Sequence, residues 1–158
     1  HDLDALNWLF GEPRSVYACG QRSPESGGWD LAMTLVDYGD VKGYAEGSAM
    51  QPPEYPFTMT LAVLCENGSA EFSFRAGGVQ VDSRDTAGTS LLAFEKGKAP
   101  QQIPCVAGDG YANEVAAFVE CVRTGMPPSQ ATGEQGRLAV ATALAARRSM
   151  ETGEVVRL

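Results

Sequence analysis

Hydrophobic positions near the start of the chain recur with the period of a helix. Leu3, Leu6 and Phe10 lie at i, i+3 and i+7, which places them on one helical face. Gly11 follows the last of these positions, and a glycine commonly ends a helix. The pattern therefore predicts a helix over residues 2–10.

Short β-prone runs separated by turn residues fill the middle of the chain. We predict strands at Ser15–Gln21, Trp29–Tyr38, Val41–Met50, Phe57–Cys65, Ala70–Arg75, Val79–Ser83, Ser90–Phe94 and Gln102–Val106. Asn67-Gly68 stands between two of these runs and is a strong signal for a β-hairpin. Polar residues alternate with apolar ones at Thr58, Thr60, Glu71 and Ser73, so part of the sheet should have one wetter face.

Two helices are predicted in the last third of the chain. The first carries an apolar stripe with helical spacing, which consists of Val115, Phe118, Val119 and Val122. The second begins at Thr132, which has the spacing of a capping box with Gln135, and runs to about Thr152. Its expected buried face consists of Leu138, Ala141, Leu144, Ala145 and Ala146. Residues 154–158 form a final extended piece.

Strands and helices are thus segregated along the chain rather than alternating. This order indicates an α+β fold with a largely antiparallel or mixed sheet backed by helices. A length of 158 residues fits a single domain spanning residues 1–158.

Charge and cysteine content narrow the classes of partner and compartment. The formal net charge of −8 repels phosphate backbones, which argues against nucleic acids and anionic membranes as partners. No apolar run approaches the roughly 20 residues that a membrane helix needs. The four cysteines are far apart (Cys19, Cys65, Cys105 and Cys121), which favours buried reduced thiols in a cytoplasmic protein over a zinc site or a disulfide framework.

Most self-contained catalytic patterns are missing. The chain has a single histidine, His1, so neither H-E-x-x-H nor a Ser-His-Asp set independent of His1 can be built. Gly108-Asp109-Gly110 precedes a predicted helix but lacks the third glycine of a dinucleotide fingerprint. The sequence therefore predicts neither a metal site nor a nucleotide site within the chain.

Motifs at both ends of the chain, and a hairpin between them, resemble those of the glucose-fructose oxidoreductase/inositol dehydrogenase/MocA family. The start resembles the family's H-x-x-D...W-L-x-G-x-P segment, with His1, Asp4, Trp8-Leu9-Phe10-Gly11 and Pro13. The hairpin at residues 66–72 is similar to the family's corresponding turn. The end resembles Y-x-x-E...F...G-x-P...S-x-x-T-G-x-x-V, with Tyr111, Glu114, Phe118, Gly125-Met126-Pro127, Ser149, Thr152-Gly153 and Val155.

This resemblance implies the C-terminal half of a two-domain NAD- or NADP-dependent oxidoreductase that acts on sugars or polyols. It implies an open sheet with helices on one face, a preceding Rossmann domain that is absent from this chain, and subunit contacts through the sheet's open face. His1 aligns with the family's motif histidine and is the expected catalytic and substrate-binding residue, because an imidazole suits proton transfer from a hydroxyl group. The alternative for His1 is a frayed terminal residue or the remainder of a purification tag.

Tyr111 lies before a helix and is a candidate substrate contact; the alternative is a packed tyrosine whose hydroxyl is hydrogen-bonded. Because the chain begins with His1 rather than Met, at the start of a predicted helix, we expect it to begin inside a longer protein. Without the cofactor half, the chain alone should be inactive.

Two other classes of protein stay open at this stage. The chain could be a non-catalytic ligand-binding or assembly module of similar fold, without a nucleotide domain. It could also be an unrelated α+β domain, in which case a closed barrel or sandwich is expected instead of an open sheet with helices on one face.

Overall fold

A computed structural model describes residues 1–76, 88–105 and 110–158. The helices are α1 (Asp2–Phe10), α2 (Gly110–Thr124) and α3 (Gly133–Thr152). The strands are β1 (Ser15–Arg22), β2 (Trp29–Asp37), β3 (Lys42–Ser48), β4 (Thr58–Cys65), β5 (Gly68–Arg75), β6 (Ser90–Glu95), β7 (Gln101–Gln102) and β8 (Val156–Arg157). The predicted strand Val79–Ser83 and residue Val106 lie outside the described residues.

The fold is α+β with antiparallel strand pairing, as the sequence predicts. The described strands form two four-stranded sheets, in the orders β3-β2-β1-β8 and β4-β5-β6-β7. The chain divides accordingly into two compact units. The first unit comprises His1–Met50 with Val115–Leu158, and the second comprises Gln51–Glu114.

The core of the first unit lies between its sheet and the helices α1 and α3. Because side chains alternate along a strand, Val16 and Ala18 of β1 point to the same face as Val36 of β2. All three are buried, in one cluster with Leu6 of α1 and with Ala145 and Ala146 of α3. Both helices therefore pack on one face of this sheet.

Small residues bring α3 close to β1, as its alanine-rich sequence predicts. Gly20 of β1 is the closest point: a Cβ atom added there would meet the backbone oxygen of Leu31 and would lie 2.8 Å from the sulfur of Met150. The capping box at Thr132 is also present, with both reciprocal hydrogen bonds to Gln135. Gly153 ends the helix in the left-handed conformation that glycine adopts without strain.

The opposite face of the same sheet carries no described helix. Tyr17, Leu35 and Tyr44 are in register across β1, β2 and β3 and form one row on this face, which we call the open face. All three side chains are exposed, and Leu35 has 54% of its surface accessible.

The second unit is built on the predicted hairpin. β4 and β5 are joined by the two residues Glu66 and Asn67, since Cys65 pairs directly with Gly68. Thr60 pairs with Ser73, and alternation places these residues with Thr58 and Glu71 on one polar face. Leu61, Phe72 and Leu91 form a row on the other face. The predicted wetter face is therefore confirmed.

Three expectations about burial are wrong. The helix α2 forms, but its stripe of Val115, Phe118, Val119 and Val122 is exposed, with 70% of Phe118 accessible. On α3, Leu144 is exposed because Thr142 and Ser149 occupy the buried face with the two alanines. The cysteines are free but not buried: Cys19, Cys65 and Cys105 are exposed and Cys121 is half-buried.

Among residues 1–76, 88–105 and 110–158, no helix combines the length and apolar character that a membrane crossing requires.

Candidate functional site

The candidate site is the solvent-facing side of helix α1, at the end where His1 lies. His1 is the N-cap residue of α1, and its backbone oxygen accepts a hydrogen bond of 2.9 Å from the N–H of Ala5. Within the described residues its imidazole makes no capping hydrogen bond. The ring is exposed and is therefore available for other partners.

Local sequence sets which side of α1 faces solvent. Leu6 and Asn7 are buried and Leu3 is half-buried, whereas Asp4 and Trp8 are exposed. Residues three and four apart share a helix face, so His1, Asp4 and Trp8 form one exposed strip, with 66% of Trp8 accessible. Gly11, with φ of 83°, ends the helix.

A buried polar chain holds the inner side of α1. The hydroxyl of Tyr38, which follows β2, donates to Asn7 Oδ1 at 2.7 Å. Asn7 Nδ2 donates to Thr142 Oγ1 of α3 at 3.1 Å, and the Thr142 hydroxyl donates to the carbonyl of Leu138 at 2.9 Å. Burial raises the pKa of Tyr38 to about 12, so its phenol keeps its proton at neutral pH. We call Asn7, Tyr38 and Thr142 the α1 anchor.

The sequence analysis missed the α1 anchor, although a signal for it exists. Leu3, Leu6, Asn7 and Phe10 lie at i, i+3, i+4 and i+7, so Asn7 occupies a position that belongs to the apolar stripe. A polar residue at such a position must find a buried partner. Among the described residues every buried side-chain nitrogen or oxygen atom has one.

Tyr111, the second predicted site residue, lies in the first turn of α2 and is exposed. It belongs to the second unit, whereas His1 belongs to the first. The substrate contact predicted for Tyr111 stays a prediction.

A shallow depression of about 200 Å³ lies on the open face and is separate from α1. Its lining includes Tyr17, Leu35 and the ion pair between Asp37 and Lys42, whose Nζ and Oδ1 atoms are 2.8 Å apart. The hydrogen bond from Lys42, together with one from the backbone N–H of Gly39, lowers the pKa of Asp37.

The described residues contain no group of three or more histidine, cysteine or acidic side chains that could hold a metal ion. The N-terminal turn of α3 is occupied by its own cap, since Thr132 Oγ1 accepts from the N–H of Gln135. The candidate site offers one imidazole, which is a group suited to proton transfer.

These features define an α+β domain with an exposed histidine at the start of its first helix. The family model described as the GFO/IDH/MocA C-terminal domain matches residues 1–71. This part of the chain is therefore similar to the C-terminal domain of the GFO/IDH/MocA family, as its motifs indicated.

Solved structures share the fold over almost the whole chain. Aldose-aldose oxidoreductase from Caulobacter crescentus, solved in complex with glycerol, matches 99% of the chain with a TM-score of 0.75 and 17% identity. A candidate NADPH-dependent oxidoreductase from Desulfitobacterium hafniense matches 99% with a TM-score of 0.81 and 18% identity. The WlbA dehydrogenase from Bordetella pertussis, solved in complex with NADH and UDP-GlcNAcA, matches 99% with a TM-score of 0.68 and 19% identity.

The chain spans less than half the length of these three proteins: 45% of the first and second and 42% of the third. No curated protein matches the chain in sequence.

Proposed function

We propose that the chain is the substrate-side domain of an NAD- or NADP-dependent oxidoreductase that acts on the CH–OH group of a sugar, a polyol or a related hydroxy compound. The observation that carries this proposal is the imidazole of His1, which is exposed at the end of α1 and not used by the helix cap. One of the similar structures is named as an NADPH-dependent oxidoreductase, another was solved in complex with NADH, and a third was solved in complex with glycerol.

The proposed reaction gives His1 the role of proton acceptor. Oxidation of a carbinol sends a hydride from carbon to the cofactor and a proton from oxygen to a base, and a neutral imidazole can accept that proton near pH 7. His1 would bind the substrate hydroxyl and take its proton. The substrate contact of Tyr111, which belongs to the second unit, is a separate proposal. Asp4 and Trp8 would line the same side of α1.

In this proposal the chain itself does not hold the dinucleotide. The net charge of −8 disfavours a pyrophosphate. Among the described residues, Thr132 and Gln135 form a capping box that occupies the N-terminal N–H groups of α3, where a phosphate would otherwise bind. The cofactor would therefore occupy a separate nucleotide-binding domain, and the chain on its own would be inactive. A cytoplasmic location would suit four free thiols.

The open face would join subunits into a homo-oligomer. Tyr17, Leu35 and Tyr44 lie in one exposed row there, and contiguous exposed apolar side chains commonly mark protein interfaces. The same observation favours the second candidate, a non-catalytic assembly or ligand-binding module, because that face needs no nucleotide.

A nicotinamide fluorescence titration with NADH and NADPH separates the two candidates. We expect no binding by the 158-residue chain and saturable binding by the longer product of the same gene. A screen of sugars and polyols on the longer product should then find oxidation. If neither protein binds either nucleotide, or no longer product exists, the oxidoreductase proposal fails and the assembly module is favoured.

Substitution tests the role of His1 in the longer product. His1→Asn should lower kcat by about 100- to 10,000-fold, which is the range for losing a general base. Asp2→Asn, next to it on α1, is the matched control and should keep kcat within about twofold, in line with an exposed residue outside the chemistry. Equal kcat values for both variants would remove His1 from the mechanism.

A further inference from the structure

Helix α1 needs a directional contact to hold its orientation. It has nine residues, fewer than the roughly 12–15 that a helix needs for stability by itself, so packing must keep it folded. Its apolar contacts through Leu6 stabilise burial but are non-directional. They leave room for small rotations about the helix axis.

Such rotations matter at the exposed side of the helix. A helix with side chains has a radius of about 5–6 Å, so a rotation of about 20° moves a side-chain tip by about 2 Å. Misplacement of a reacting group by about 1 Å can cost roughly 100-fold in rate. The orientation of α1 is therefore as important to His1 as the presence of the imidazole.

Asn7 is the residue of α1 that makes directional contacts on both sides. Only 6% of its surface is accessible, and asparagine is a poor helix former, so its value at this position comes from tertiary contacts. Its amide oxygen accepts from Tyr38 and its amide nitrogen donates to Thr142, so it joins the β2 end of the sheet to α3.

The hydroxyl protons of the α1 anchor favour one arrangement of its hydrogen bonds. The single hydroxyl proton of Thr142 is given to the carbonyl of Leu138, which leaves Thr142 Oγ1 as an acceptor for Asn7. Tyr38 supplies its own proton to the other end of the amide. Reversal of the Asn7 amide would take the Thr142 proton away from the Leu138 carbonyl, so the observed arrangement keeps more hydrogen bonds. With one partner on each side of Asn7, the two contacts restrict the rotation of α1.

We propose that Asn7 is a positioning residue that acts through Tyr38 and Thr142 to fix the orientation of α1 and thereby aim His1 at the substrate. This inference rests on the proposed function for the role of His1. Asn7 lies less than two helical turns from His1, and the Ala5–His1 hydrogen bond joins His1 to the same helix.

Residual dipolar couplings of the backbone amides test the orientation in the 158-residue chain itself. Thr142→Val keeps the shape of the side chain but removes the acceptor, whereas Thr142→Ser keeps the hydroxyl and is the matched control. We expect Thr142→Val to rotate α1 by more than about 10° relative to α3, enough to move a side-chain tip by about 1 Å. Thr142→Ser should keep the native couplings.

Tyr38→Phe provides the same test if Thr142→Val does not fold. It removes one hydroxyl but keeps the ring, whose centroid lies 5.6 Å from that of Phe10. Native couplings for α1 in a folded Thr142→Val or Tyr38→Phe protein would overturn the proposal, since the anchor would then contribute only stability.

Kinetics of the longer product give the second readout. Thr142→Val should lower kcat by about 10- to 100-fold with little change in KM for NADH or NADPH, and Thr142→Ser should recover most of it. The couplings need no substrate, so the two proposals can fail separately. If Thr142→Val rotates α1 but His1→Asn leaves kcat unchanged, the oxidoreductase mechanism is wrong. If His1→Asn lowers kcat but Thr142→Val does not rotate α1, the positioning role of Asn7 is wrong.

Discussion

At the scale of single residues, Ser149 replaces a missing strand partner. β8 pairs only with Ser15 and Val16 of β1, so the N–H of Ala18 lies beyond the end of that strand. Ser149 Oγ accepts from this N–H at 2.8 Å and donates to the carbonyl of Glu154 at 2.6 Å. One hydroxyl therefore provides hydrogen-bond partners for a backbone N–H of β1 and a backbone carbonyl of the turn after α3.

Ser149→Ala should destabilise the chain by about 1–3 kcal/mol, the cost of leaving a buried N–H without a partner. Urea unfolding followed by far-ultraviolet circular dichroism measures the free energy of unfolding. Ser129→Ala, at an exposed position, should change it by less than about 0.5 kcal/mol. Equal effects of the two substitutions would mean that the N–H of Ala18 finds another partner.

Asp37 makes part of the stability dependent on pH. Its pKa in the folded state is lower than the ordinary value of 3.8, mainly because Lys42 donates a hydrogen bond to it. A carboxyl with a lowered folded-state pKa stabilises the fold above its unfolded pKa, and that contribution is lost as pH falls through the folded value. Asp37→Asn should therefore reduce the loss of stability between pH 5 and about pH 2.

Urea unfolding at these two pH values measures the effect, with Asp40→Asn in the adjacent turn as the control. The control should retain the acid sensitivity of the parent. A steeper loss of stability in Asp37→Asn than in the parent would contradict the sign of the shift.

At the scale of elements, the closeness of α3 to β1 depends on Gly20. A Cβ atom there would overlap the backbone of Leu31, which cannot move without disturbing the pairing of β1 with β2. Gly20→Ala should cost about 1–3 kcal/mol or more, the typical cost of overpacking. The melting temperature should fall correspondingly.

Gly47→Ala is the control from the same sheet. A Cβ atom at Gly47 meets no described atom within 4 Å, so this substitution should be neutral or stabilise by up to about 1 kcal/mol. Calorimetry of both variants tests the comparison. Similar melting temperatures for the two would show that α3 can shift away from β1 at little cost.

Elements and contacts differ in how far the sequence predicts them. Helix α1, the hairpin at Glu66–Asn67 and the capping box at Thr132 follow from local periodicity and turn residues, and all were predicted. The division of the strands into two sheets, and the hydrogen-bond partners of Asn7, depend on pairings between residues far apart in the chain. Local patterns do not encode such pairings, and the exposed stripe of α2 illustrates the same limit for a helix.

At the scale of the whole molecule, the first unit presents two different surfaces. The side with α1 carries His1, and the open face on the other side of the sheet carries Tyr17, Leu35 and Tyr44. An interface on the open face would leave the His1 side accessible to substrate. Assembly and the proposed chemistry can therefore be tested by separate substitutions.

Leu35→Lys should abolish self-association through the open face. A two-fold symmetric interface brings the same patch of both subunits together, so the substitution would bury two ammonium groups near each other. We expect the parent chain to sediment as a dimer or a larger oligomer at micromolar concentration and Leu35→Lys to sediment as a monomer with an unchanged circular dichroism spectrum.

Leu64→Lys provides the matched control, because Leu64 is also an exposed leucine in a strand but belongs to the second unit. It should leave the sedimentation of the parent unchanged. A monomeric parent, or the same oligomer for Leu35→Lys, would remove the open face as a subunit interface. In that case the exposed row would be free for a different partner.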